Sequence, residues 1–180
     1  RGEHEQRPSV VSLSEATELG TLYTPAEVAA LASLARERGM RMHLDGARFA
    51  NAVARLGCTP AELTWKSGVD VLTFGATKNG KRTGQLVSKG RFLAVQMLAY
   101  LEGDRWLANA RHANQMADRL ASRFGALRGV RLPLPVEANA VFAIVPQALH
   151  EHLQQQGARY LVWPGEGPGT DTVGDGEVFI

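Results

Sequence analysis

A chain of 180 residues and 19.5 kDa, 44% hydrophobic and 21% charged, can bury a sizeable core and is not a disordered tail. Twenty Lys and Arg stand against 18 Asp and Glu, a net charge of +2 with no long run of like charges; this argues against a grip on nucleic acid or membrane and leaves a small molecule or another subunit as the expected partner. The single cysteine, Cys58, excludes an internal disulfide framework and a multi-cysteine metal site and suits a cytoplasmic compartment, while no stretch approaches the ~18 apolar residues of a membrane span and Arg1 to Arg7 shows no targeting signal.

Taken in chain order, Val10, Val11 and Leu13 predict a buried strand that runs into a turn-rich loop from Ser14 to Tyr23. Thr24, Pro25, Ala26 and Glu27 then open a helix: Thr24 is an N-cap, Pro25 sits where its missing donor costs nothing, and Glu27 can close a capping box. Val28, Leu31, Ala32 and Ala35 give that helix an apolar face, and Gly39 stops it. A strand is expected at Arg41 to Leu44 and a short helix at Phe49 to Leu56. The tetrapeptide Thr59, Pro60, Ala61, Glu62 repeats the first helix start and predicts another short helix before a strand at Val69 to Phe74.

The first eighty residues thus alternate strand and helix, the pattern of an open, mainly parallel α/β sheet. Long helical patterns follow at Arg91 to Leu101 and Arg105 to Leu127, broken by Gly103 and Asp104. Beyond Gly129, strand-like runs at Val130 to Val136 and Ala140 to Val145, a helix at Pro146 to Gln156, a strand at Arg159 to Trp163 and a last strand-like piece at Glu177 to Ile180 read as a small α/β domain. The expected division is residues 1–103 and 104–180.

Two places can carry chemistry. His43, Leu44, Asp45, Gly46, Ala47 and Arg48 set an acid and a base just past the end of a strand, the edge at which open α/β sheets bind ligands. Asp45 alone reads equally as the cap of the next helix, Arg48 as a solvated side chain, and His43, on the same strand face as Asp45, as a packed, hydrogen-bonded histidine. The second place is Thr73 to Gly80, a strand running into small residues and a single lysine, Lys78. A poorly hydrated lysine loses its charge readily and becomes a nucleophile, although Lys-Asn-Gly is also common turn chemistry. Asp45 and Lys78 lie one strand-helix-strand unit apart, so a carboxylate and an amine stand at strand ends of one sheet. An enzyme using pyridoxal 5'-phosphate needs such a pair: a carboxylate to keep the pyridine nitrogen protonated and a lysine to hold the aldehyde. Arg48 adds a planar fork for a substrate carboxylate.

Through Glu15-Ala16-Thr17-Glu18-Leu19-Gly20-Thr21-Leu22-Tyr23, His43-Leu44-Asp45-Gly46-Ala47-Arg48-Phe49-Ala50-Asn51-Ala52 and Phe74-Gly75-Ala76-Thr77-Lys78-Asn79-Gly80, the sequence resembles the threonine aldolases. These belong to the β-eliminating lyase group of pyridoxal phosphate enzymes of fold type I. The likeness extends weakly through Trp163 to Gly169. It implies that residues 1–103 are the second half of a large cofactor-binding domain and 104–180 an incomplete small C-terminal domain. It further implies that Asp45 pairs with the pyridinium, Lys78 forms the internal aldimine and Arg48 helps bind the substrate carboxylate. The activity implied is cleavage of the Cα–Cβ bond of a β-hydroxy amino acid such as threonine, by a homodimer or homotetramer. An elimination or transamination on the same residues, and a non-catalytic subunit that keeps the fold, are the alternatives.

Three departures from the family stand out. Its glycine-containing phosphate loop and ring-stacking histidine belong to an N-terminal half not present here, an apolar strand expected after Gly80 is replaced by Lys81 and Arg82, and a second carboxylate-binding arginine would lie past Ile180. These 180 residues are therefore expected not to act as an aldolase alone. Leu93, Met97, Tyr100 and Leu101 read as core, Trp106 and Trp163 as packing anchors. His112, His150 and His152 lack partners at metal-ligand spacing, so no metal site is expected.

Overall fold

The computed structural model describes residues 8–75, 90–163 and 172–180, which form two compact units. One comprises Arg1–Glu18 and Leu22–Ala113, the other Leu19–Thr21 and Asn114–Ile180, so the division falls inside a helix that begins just after Gly103.

The first unit is built on three parallel strands, β1 (Val10–Ser14), β2 (Arg41–Gly46) and β3 (Val71–Phe74), in that spatial order. Register pairs Leu13 with Leu44 and Ser14 with Asp45 on one side of β2, and Leu44 with Leu72 and Asp45 with Thr73 on the other. Because side chains alternate along a strand, the sheet has two unlike faces. Val11, Leu13, Met42, Leu44, Leu72 and Phe74 pack in one core with Val28 and Ala32 of α1 (Pro25–Glu37) and Phe49, Ala50 and Val53 of α2 (Phe49–Leu56). The opposite face carries Ser12, Ser14, His43, Asp45 and Thr73, with Val10 and Val71 still 53% and 56% exposed.

Capping chemistry fixes where α1 begins. The Thr24 hydroxyl accepts from the Glu27 backbone N–H at 3.3 Å, and the Glu27 carboxylate accepts from the Thr24 N–H at 2.7 Å, with Pro25 in the first turn. The Thr24 N–H, and after it the Thr24 hydroxyl donating at 2.8 Å, hold the Glu27 carboxyl below its ordinary range. Thr59 and Glu62 make the same reciprocal pair, at 3.3 and 2.7 Å, but the expected helix there is only a turn followed by a 3-10 turn at Trp65–Ser67. The Ser67 hydroxyl donates to the Glu62 carbonyl, competing with helical backbone pairing, and Gly68 turns left-handed before a second turn can form.

Asp70 fastens the start of β2: one carboxylate oxygen accepts from the Met42 N–H at 2.8 Å and the other meets Arg41 at 3.3 Å. The Met42 bond, then the Arg41 charge, hold its carboxyl below the usual aspartate range. At the far end of β3, Phe74 sits edge-on between Phe49 and Trp106, with ring centroids 6.1 and 6.0 Å away. Such pairs add about 0.5–1.5 kcal/mol beyond area burial and anchor the strand end from which the lysine segment departs. The long helices are α3 (Gly90–Leu101) and α4 (Arg105–Gly125), separated by a short 3-10 turn in which Gly103 has φ 63°. Tyr100 packs against the core as expected, whereas Val95, Leu98 and Leu101 are exposed.

In the second unit β4 (Ile144–Pro146) and β5 (Glu177–Phe179) pair antiparallel, and α5 (Gln147–Gln155) lies between them in sequence. Val130, Ala143 and Val145 form one apolar cluster, Phe142, Ile144 and Phe179 another. The strand expected at Val130 to Val136 is reduced to a single bridge between Arg131 and Ile144, because Pro133 and Pro135 have no N–H to give a ladder. The expected strand at Arg159 to Trp163 likewise keeps one ladder bond, from the Trp163 N–H to the Phe179 carbonyl at 2.9 Å. Trp163 is a packing anchor nonetheless, tilted against Phe142 and Phe179 at 5.8 and 6.4 Å.

Candidate active site at the carboxyl end of the parallel sheet

Asp45 is the penultimate residue of β2, half-buried, on the face opposite the one that packs against α1 and α2. It is not the cap of α2: that position belongs to Arg48, which makes no side-chain capping bond. Instead Asp45 Oδ1 accepts from the Ala47 backbone N–H at 3.0 Å, closing an Asx turn that fixes the carboxylate at the mouth of the strand–helix loop. Oδ2 has no partner among the described residues. A rigidly held carboxylate with one free oxygen is an acceptor for a ring N–H.

Gly46 explains how the chain turns there. A Cβ on this residue would lie 2.9 Å from Leu72 Cδ1 and 3.0 Å from both Phe49 Cβ and the Thr73 carbonyl oxygen, so only hydrogen fits. The chain then carries Arg48, also half-buried, three residues beyond Asp45. Lys78 lies outside the described residues.

His43 shares the open face with Asp45, as the strand period requires, and both its ring nitrogens are engaged. Nδ1 meets the Ser12 hydroxyl at 2.7 Å and Nε2 the Thr73 hydroxyl at 3.1 Å, so one imidazole joins all three strands. Nothing in the local sequence around His43 marks these hydroxyls as its partners. Their signal is Ser12 and Ser14 in Val-Val-Ser-Leu-Ser and Thr73 in Val-Leu-Thr-Phe, polar residues that alternate with apolar ones. Cys58 offers no rival nucleophile: burial, then the charges of Glu62 and Glu15, push its thiol above the ordinary value and disfavour the thiolate. Among the described residues no cluster of metal-ligating side chains occurs, and no helix is long and apolar enough to cross a membrane.

The parallel α/β sheet with its crossover helices is the fold type I architecture that its structural neighbours share. Residues 1–83 match the family described as beta-eliminating lyase. The chain is 45% identical to the low specificity L-threonine aldolase of Pseudomonas aeruginosa and 43% identical to that of another Pseudomonas, in each case over 91% of this chain and 54% of the relative. The fold matches that of Leishmania major threonine aldolase with a TM-score of 0.80 at 26% identity, covering 99% of this chain and 56% of that one. By these matches the chain is similar to the threonine aldolases and, over residues 1–83, to the beta-eliminating lyase family, and it spans about half the length of the curated relatives it matches. The matched span of 186 positions exceeds the nine-tenths of this chain that it covers, so the relatives hold residues within it that this chain lacks.

Proposed function

We propose that the protein is a pyridoxal phosphate-dependent aldehyde-lyase that cleaves the Cα–Cβ bond of a β-hydroxy amino acid such as threonine, giving glycine and an aldehyde. The observation that carries this reading is the 45% identity to an L-threonine aldolase across 91% of the chain. The geometry of Asp45 supports the cofactor, since a fixed carboxylate with an open oxygen suits a protonated pyridine nitrogen. When bound, the cofactor supplies an electron sink for the bond that breaks.

The chain's own residues then divide the work. Asp45 holds the proton on the ring nitrogen, Lys78 supplies the amine that carries the cofactor aldehyde, and Arg48 grips the substrate carboxylate with its two-pronged guanidinium. Residues 1–103 form the cofactor-binding part and 104–180 the small domain in this reading. The resemblance also carries a cytoplasmic homodimer or homotetramer.

Two measurements test the proposal. In the full-length protein threonine should yield glycine and acetaldehyde; ammonia release would point to elimination on the same residues, and neither product to a non-catalytic role. Borohydride reduction with the cofactor bound, followed by peptide mapping, should label Lys78, and a label on Lys66, Lys81 or Lys89 would overturn its assignment.

A further inference from the structure

We propose that His43 is a positioning residue that keeps Asp45 open to its ligand by holding the Thr73 hydroxyl away from it. The inference rests on the reading of Asp45 as partner of a ring N–H. Thr73 on β3 and Ser14 on β1 are the register neighbours of Asp45, and Thr73 is the one whose hydroxyl His43 engages. A β-branched side chain has few χ1 positions, and the one Thr73 adopts sets its Oγ1 back along the strands onto His43 Nε2 at 3.1 Å. Thr73 makes no hydrogen bond to Asp45, whose bonded oxygen is taken by the Ala47 N–H.

The imidazole is itself held from the other side by the Ser12 hydroxyl at 2.7 Å. It is therefore braced between β1 and β3 and cannot follow Thr73 if that side chain turns. Removing the ring frees the threonine to rotate toward the adjacent carboxylate. A charge-assisted bond there would occupy the oxygen that the ring N–H needs.

The experiment is a titration of the purified full-length protein with pyridoxal phosphate, read by the visible absorption of the bound cofactor. His43→Leu should weaken binding about tenfold, the worth of one such competing bond. The double variant His43→Leu/Thr73→Val should recover most of that loss, because the competing hydroxyl is gone. His43→Gln, whose amide can meet a hydroxyl on either side, should stay near the wild type. A crystal structure of His43→Leu without cofactor should show the Thr73 hydroxyl on Asp45; His43→Ala takes its place if the leucine variant does not fold.

A merely structural histidine predicts the reverse, a double variant as weak as the single one or weaker, and that result overturns the proposal. Unchanged affinity in His43→Leu overturns it equally. A wild-type protein that develops no absorption band at all overturns the cofactor reading and the proposal with it, which tells the two failures apart.

Discussion

Replacing Gly46 with alanine adds one methyl group at the most crowded point of the sheet. Its carbon would meet three neighbours at 2.9, 3.0 and 3.0 Å, and they differ in how they can yield. Leu72 Cδ1 is the tip of a flexible side chain and can rotate aside. Phe49 Cβ is fixed by the first turn of α2, and the Thr73 carbonyl is part of β3, so relief there means parting β2 from β3 or tilting α2. Overpacking of this kind costs typically about 1–3 kcal/mol. At roughly 2–4 °C per kcal/mol for a chain of this length, the melting temperature should fall by about 2–12 °C. Circular dichroism melts of the two proteins at one concentration and cofactor level give the comparison. Cofactor affinity should fall as well, since the shift moves Asp45. A variant within about 0.5 kcal/mol of the parent, the range of ordinary surface changes, would show that the turn is not packed as described.

Asp45→Asn keeps size and the Asx turn but removes the charge, so cofactor should still bind while turnover falls on the order of 10²–10³; normal turnover would reduce Asp45 to a turn residue. Arg48→Lys should raise the KM for threonine about tenfold with cofactor affinity unchanged, because an ammonium cannot reproduce the planar two-pronged contact. An unaltered KM removes Arg48 from the site. Asp70 has a native pKa held below its unfolded value, so its stabilisation is present above the ordinary aspartate range and is lost as pH falls through the depressed native value. Melting curves of Asp70→Asn should accordingly lie below the parent at neutral pH and converge with it in acid; a constant gap would contradict this.

Local chemistry was the part of the fold that could be read in advance. Thr24 and Glu27 announce α1 because both halves of the capping box lie within four residues, and the strands on either side follow from apolar alternation. The same motif at Thr59 misleads, since a cap starts a helix but cannot extend one through the few residues before Gly68. At Val130 to Val136 apolar character suggested a strand, and the two prolines outweighed it. For the site, Asp45 was legible as a carboxylate at a strand end; its Asx turn and the α2 cap at Arg48 were not, because they depend on the path of two residues of backbone. The clasp on His43 was out of reach for another reason: its hydroxyl partners lie 31 and 30 residues away and meet it only once the parallel register is set.

That register has a consequence for folding itself. A shift of β2 by a single residue against its neighbours would exchange its two sides, turning Arg41, His43 and Asp45 into the helix-packed interior and Met42 and Leu44 out of it. Burying three ionisable groups without partners is far costlier than any contact the slipped pairing could keep. The alternation that equips one side of β2 for chemistry therefore also acts as a proofreading device for strand pairing, and a mutation that made the open side apolar would loosen the choice of alignment before it touched the carboxylate.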